Sequence, residues 1–144
     1  MTAFFDTSVL VAASLRGHPH HVAALAAVSS VIRGEYKGVL AAHSLAEAYA
    51  VLTRMPVRPA IHPSEARRIL EENFVRHFDA VSLRLEEYRE VLRDMADAGW
   101  IGGLIYDALL LRCARKKPCE RIYTLNVAHF QKLASDLSDR ICAP

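Results

Sequence analysis

Three carboxylates stand where chemistry is possible. Asp6 follows the apolar run "TAFF" and directly precedes Thr7 and Ser8. Glu47 lies in "HSLAEAYAVLTR", just after the apolar run "VLAA". Asp107 sits in "GGLIYDALLLRCARKK", where Leu104 to Cys113 is otherwise apolar apart from Arg112. Burying a carboxylate without a partner costs several kcal/mol, roughly, and usually neutralises the group instead. No cation lies one turn before Asp107, and Arg112, five residues on, faces elsewhere on a helix. The other two acids each have an ordinary alternative. "SLAE" from Ser44 to Glu47 is a capping-box sequence, and in "DTS" either Asp6 or Ser8 can cap the helix that follows.

Three carboxylates brought together repel, at about 4 kcal/mol for two unit charges 4 Å apart when the effective dielectric is near 20. Such a cluster persists if a proton is shared, if basic side chains pair with it, or if a divalent cation holds it. Hard oxygen donors without cysteine or paired histidine suit Mg²⁺ or Mn²⁺. A cation of that kind binds a phosphate oxygen and lowers the pKa of its own water, which is the chemistry of phosphodiester hydrolysis.

The elements that position these residues alternate between strand and helix. "TAFF" predicts a strand ending at Asp6, and Ser8 to about Arg33 a helix. Gly34 and Gly38 bracket a turn, "VLAA" is a second strand, and His43 to Met55 a helix. After the proline-rich loop "RMPVRPAIHP", Ser64 to His77 is helical, "DAVSL" a third strand, and Leu85 to Met95 an amphipathic helix stopped at Gly99. The Asp107 helix comes next, then strand "RIYTL", a short helix around Phe130 and a last strand near "RICA". Short apolar strands separated by helices imply α/β architecture, a parallel sheet covered on both faces. Ligands in such folds collect at the carboxyl ends of the strands. Asp6, Glu47, Asp107, Thr124 and Asn126 all fall on that edge, although Asn126 is also a natural cap before "VAHF".

Length and composition exclude several classes. A chain of 144 residues fits one domain, residues 1–144, and 52% hydrophobic with 24% charged residues is globular. The net charge of +2 permits nucleic acid without implying it. Cys113, Cys119 and Cys142 are odd in number and contain no C-x-x-C, which argues against a disulfide framework or a zinc site. With no leader-like N-terminus and no apolar run near the about 18 residues of a membrane span, a cytoplasmic protein without a membrane partner is expected.

The sequence resembles PIN-domain ribonucleases, and among them the VapC-type toxins of toxin–antitoxin pairs. The resemblance runs over nearly the whole chain and rests on "FFDTSVLVA", "HSLAEAYAVLTR", "GGLIYDALLLRCA" and "RIYTLNVAHF" in that order. It implies a three-layer α/β/α sandwich with a central, mostly parallel sheet of about five strands. The implied activity is that of a Mg²⁺- or Mn²⁺-dependent endoribonuclease acting as the toxin of a type II pair. The family's three acids map on Asp6, Glu47 and Asp107, with Asp6 and Asp107 as metal ligands and Glu47 orienting or deprotonating the attacking water. The family's hydroxyl maps on Thr124, and its fourth acidic position falls on Asn126, a departure that favours one metal over two. Ser8, Thr124 and Asn126 would support the site from outside. The implied partners are an RNA substrate, a cognate antitoxin and a second copy of the chain.

Arg54, Arg112 and Lys116 are the candidates for phosphate contact, although a run such as "RCARKK" is also an ordinary solvated helix end. The histidines of "GHPHH" lack the spacing of a helical metal pair and read as a helix start. His129 reads as structural or substrate-facing, and Trp100 as a core or interface aromatic. Two readings of other classes compete. A phosphoryl-accepting receiver domain lacks its acid after the third strand and its lysine after "TLNVAH". A catalytically weak RNA- or partner-binding module on the same fold is favoured by Asn126.

Overall fold

The computed structural model describes residues 1–144. Its elements are β1 (Thr2–Phe5), α1 (Thr7–Ser14), α2 (His21–Ile32), β2 (Lys37–Ala41), α3 (Ala42–Arg54), α4 (Pro63–Leu70), β3 (Phe78–Val81), α5 (Leu85–Ala98), α6 (Leu104–Ala114), β4 (Arg121–Tyr123), α7 (Val127–Leu133) and β5 (Ile141–Cys142). All five strands form one sheet in the order β3-β2-β1-β4-β5, and every pairing is parallel. No helix is long and apolar enough to cross a membrane.

Alternation along the strands divides the core into two halves. Ala3, Phe5 and Leu40 face one layer, built from α1, α2, α3 and α4. Phe4, Val39, Ala41 and Ile122 face the other, where α6 and α7 pack. A small satellite cluster of Val91, Met95 and Leu109 joins α5 to α6 and takes in Trp100 from the side. The result is the expected three-layer sandwich. The chain crosses from β3 at one edge to β4 on the far side of β1, so the strand order reverses between β1 and β4. A ligand crevice belongs at that point.

Three local expectations need correction. The helix expected over Ser8–Arg33 is two helices, α1 and α2, separated at Leu15–His20, because Gly17 and Pro19 interrupt the backbone ladder. The histidine segment is this link, and His21 opens α2, its Nδ1 lying 2.9 Å from the Ala12 carbonyl oxygen. Gly38 does not bracket a turn. It lies inside β2, where an added Cβ would stand 2.5 Å from Phe78 and 2.7 Å from Val31. Finally, the helix after the proline loop ends at Leu70 and passes into a wider π-helical turn, Glu71–Val75, before β3. Gly99 does stop α5, in the left-handed region at φ 68°.

Candidate active site

Asp6 is the centre of the crevice. It is only 2% exposed and follows the last residue of β1. Phe5 pairs with Tyr123, and the Asp6 amide donates to the Tyr123 carbonyl at 2.9 Å, so β1 and β4 are still in register where the site begins. That register sets Thr124 beside Asp6. The Thr124 Oγ1 donates to Asp6 Oδ2 at 2.7 Å, and the Ser8 Oγ donates to the same oxygen at 2.6 Å. Both hydroxyls are themselves held by the loop after β4. The Asn126 amide donates to Thr124 Oγ1 at 3.0 Å, and the Leu125 amide to Ser8 Oγ at 3.1 Å. Every side-chain hydrogen bond to the Asp6 carboxylate falls on Oδ2. Its Oδ1 therefore remains for a ligand.

Neither Asp6 nor Asn126 caps a helix through its side chain, although each occupies the N-cap position, of α1 and α7 respectively. Asn126 contributes its backbone N–H to the Asp6 network instead.

Glu47 stands in the second turn of α3, which starts directly after β2. The capping-box alternative fails here: Ala41 is the N-cap and no side chain caps this helix. Ser44 instead lies fully buried against α1, its Oγ 2.8 Å from Thr7 Oγ1. Thr7 Oγ1 is also 3.1 Å from Glu47 Oε2. A hydroxyl has one proton to give. When Thr7 donates to Glu47 it accepts from Ser44, and the chain of hydroxyls ends on the carboxylate.

Asp107 lies in the first turn of α6 with its side chain 18% exposed. Burial pushes its carboxyl up to about 6, and the charges of Asp6 and Glu47 add to the effect while His129 opposes it. The three acids therefore share one electrostatic neighbourhood. No lysine or arginine forms an ion pair with any of them. The basic groups nearest are imidazoles: His129 Nδ1, 3.7 Å from Asp107 Oδ2, and His43 Nε2, 3.6 Å from Glu47 Oε1. Of the three ways a carboxylate cluster can persist, pairing with strong bases is thus removed. A shared proton and a bound cation remain.

The donor set suits a hard cation, because its atoms are carboxylate oxygens backed by hydroxyls. No group of three or more histidine, cysteine, aspartate or glutamate side chains converges as a metal cage.

The three candidates for phosphate contact differ in their freedom. Arg112 pairs with Glu90 and lies 3.8 Å from Glu87, while Lys116 is 2.7 Å from Glu87 and 2.9 Å from the Ser82 carbonyl oxygen. Glu87 is buried, and this set of ion pairs clamps α5 to α6. Arg54, exposed at the end of α3, has no ion-pair partner.

The backbone N–H groups of Thr7 and Ser8 were expected to help receive a phosphate, but the Thr7 hydroxyl, Ser44 and His43 were not foreseen as parts of the site. The hydroxyls were visible in "DTS" and "SLAE", but only the crossing of α1 and α3 shows that they meet.

Residues 3–135 match the protein family described as PIN domain. Ribonuclease VapC27 of Mycobacterium tuberculosis is 34% identical over 115 residues, which cover 80% of this chain and 78% of the relative. Ribonuclease VapC40 of the same organism is 35% identical over 105 residues, covering 73% and 72%. Among solved structures, the sarcin–ricin loop cleaving toxin VapC20 of Mycobacterium tuberculosis superposes with a TM-score of 0.67 at 18% identity, covering 86% of this chain and 89% of that one. VapBC2 of Rickettsia felis, solved bound to a fragment of its promoter DNA, gives 0.64 at 16% identity, covering 92% and 93%. At such identities the two superpositions speak for the fold.

Proposed function

The chain belongs to the PIN-domain family, among the VapC-type ribonuclease toxins, and from that membership we propose that it is a Mg²⁺- or Mn²⁺-dependent endoribonuclease. Residues 1–144 act as a single domain in this reading, working in the cytoplasm as the toxin of a type II pair. One observation carries the metal-dependent part. Asp107 is largely buried beside two other carboxylates that raise its proton affinity, with no lysine or arginine in contact. A divalent cation is the partner that such a group lacks.

Asp6, whose Oδ1 accepts no side-chain hydrogen bond, and Asp107 would hold the cation. When bound, the cation supplies a Lewis acid for a phosphate oxygen and a water of lowered pKa. Glu47, steadied by Thr7, orients the attacking water and takes its proton. Ser8 and Thr124 keep Asp6 in one orientation, and Asn126 holds Thr124. The backbone N–H groups at the opening of α1, at Thr7 and Ser8, receive a phosphate oxygen. With Asn126 replacing the fourth acid, one metal rather than two is held. Arg54 is the first choice for an RNA phosphate; Arg112 and Lys116 would have to leave Glu90 and Glu87 to reach one.

The partners proposed on the same membership are an RNA substrate, a cognate antitoxin and a second copy of the chain. A catalytically weak RNA- or partner-binding module is the second reading, favoured by Asn126 and by the lack of a three-ligand cage. Cleavage of a structured RNA pool by purified protein, with Mg²⁺ or Mn²⁺ and with chelator, separates the two. The nuclease reading expects cleavage that needs both the metal and Asp107, so that Asp107→Asn is inactive. Equal cleavage by the variant points to a contaminant, and neither cleavage nor metal binding by wild type hands the site to the second reading.

A further inference from the structure

We infer that His43 is a positioning residue for Glu47, fixing the plane of its carboxylate toward the hydrolytic water. The inference rests on the ribonuclease reading, in which Glu47 handles that water.

The anomaly that leads to it is a single atom. His43 Nε2 is the one buried side-chain nitrogen or oxygen in the molecule with no hydrogen-bond partner. A ring nitrogen covered from water and left unpaired has lost its hydration with nothing in return, and native proteins rarely retain such a group without use. Its neighbour is Glu47 Oε1 at 3.6 Å, one helical turn further along α3. That separation is beyond a hydrogen bond, but a rotation of the terminal glutamate torsion, which is broad and soft, closes it.

The geometry on the other side of the carboxylate gives the contact its meaning. Glu47 Oε2 is already gripped by Thr7 from α1, at 3.1 Å. A single contact leaves the carboxylate free to swing about one oxygen. A second grip on Oε1, from a different direction, fixes the plane as well as the position. His43 is well placed to provide it, being in the first turn of α3 and two residues beyond the last residue of β2. The pair lies at the rim, with side chains 25% and 36% exposed.

The ordinary alternative is an i, i+4 pair that merely supports the helix. The two differ in what a variant changes. His43→Leu removes the ring N–H but keeps apolar bulk. His43→Gln restores an amide N–H near the place of Nε2. If His43 positions Glu47, the leucine variant lowers kcat by about tenfold or more with KM and Mn²⁺ affinity unchanged, and the glutamine variant recovers most of the loss. Imidazole ¹⁵N NMR on metal-free protein supplies a readout independent of activity. Glu47→Gln should move the His43 Nε2 resonance, whereas Asp6→Asn should leave it in place.

Wild-type kcat in His43→Leu overturns the proposal. So does a folded His43→Gln as slow as the leucine variant, and so does a His43 resonance indifferent to Glu47→Gln. If wild type cleaves no RNA, the ribonuclease reading fails by itself, and the NMR arm alone decides whether the contact exists. That arm uses no His43 variant, so a leucine variant that does not fold leaves the test intact.

Discussion

Replacing Asp107 by asparagine should stabilise the metal-free protein. A carboxyl that titrates at about 6 in the folded chain instead of its ordinary 3.8 binds its proton more tightly there than in the unfolded chain. Folded protein then carries the extra proton between those two values, so stability falls as pH rises through that window and the loss is complete above it. At about 1.36 kcal/mol per pH unit the ceiling is about 3 kcal/mol. The side chain is 18% exposed at the mouth of an open crevice, and water screens part of the repulsion. A realistic gain for Asp107→Asn at pH 7.5 is about 1–2 kcal/mol. In a chain of 144 residues that corresponds to about 3–6 °C in Tm. The assay is thermal or urea unfolding in chelator from pH 3.5 to 8, with wild type and variant in parallel. The advantage of the variant should be absent below pH 3.8 and open fully above about 6. Added Mn²⁺ should then narrow or reverse it, because the ion stabilises only the form it binds. A variant less stable than wild type at pH 7.5, by the same margin at every pH, refutes the reasoning. It would mean that groups of the protein already satisfy the ionised acid.

The ion pairs around Glu87 behave in the opposite sense. Lys116 first, with help from Arg84, holds this carboxyl down at about 2 against its ordinary 4.5, so its share of stability is present above 4.5 and is lost as pH falls toward 2. Glu87→Gln should be less stable at neutral pH and show a flatter acid limb in unfolding experiments; an unchanged limb rules the clamp out. Gly38→Ala should lower the urea midpoint by the equivalent of about 1–3 kcal/mol, because Phe78 and Val31 leave no room for a methyl group. Thr124→Val removes a donor to Asp6 while keeping shape, and calorimetric Mn²⁺ titration should show affinity weakened about 10–100-fold. Unchanged affinity would detach Thr124 from the metal site.

The strands and the identity of the three acids were legible because both are written in local pattern. An apolar run that ends on an acid marks a strand edge, and an acid inside an apolar helix marks a need for a partner. What escaped were relations between elements. Ser44 reads as half of a capping box, but the helix begins two residues before it and its hydroxyl turns to Thr7 on α1. Arg112 and Lys116 read as a solvated basic end, yet a glutamate on α5 lies beneath them. Gly38 reads as a turn residue because glycine does so on average, while here it makes room for an aromatic ring on the next strand. The break at Gly17–Pro19 was legible in principle, but the apolar residues on both sides continue one another's helical period and hide it.

The bond from Thr124 to Asp6 joins residues 118 positions apart in the chain. β4 also docks beside β1 only after β2, β3 and most helices have been made. Synthesis runs from the N-terminus, and pairings between distant segments close late. A growing chain that has already exposed Asp6 and Glu47 therefore has no Thr124 to orient Asp6 and no Asn126 amide to hold Thr124. Under the proposed ribonuclease function this timing matters, since the ribosome making the chain is itself built on RNA. The complete arrangement around Asp6 therefore forms only once the chain has been made through Asn126.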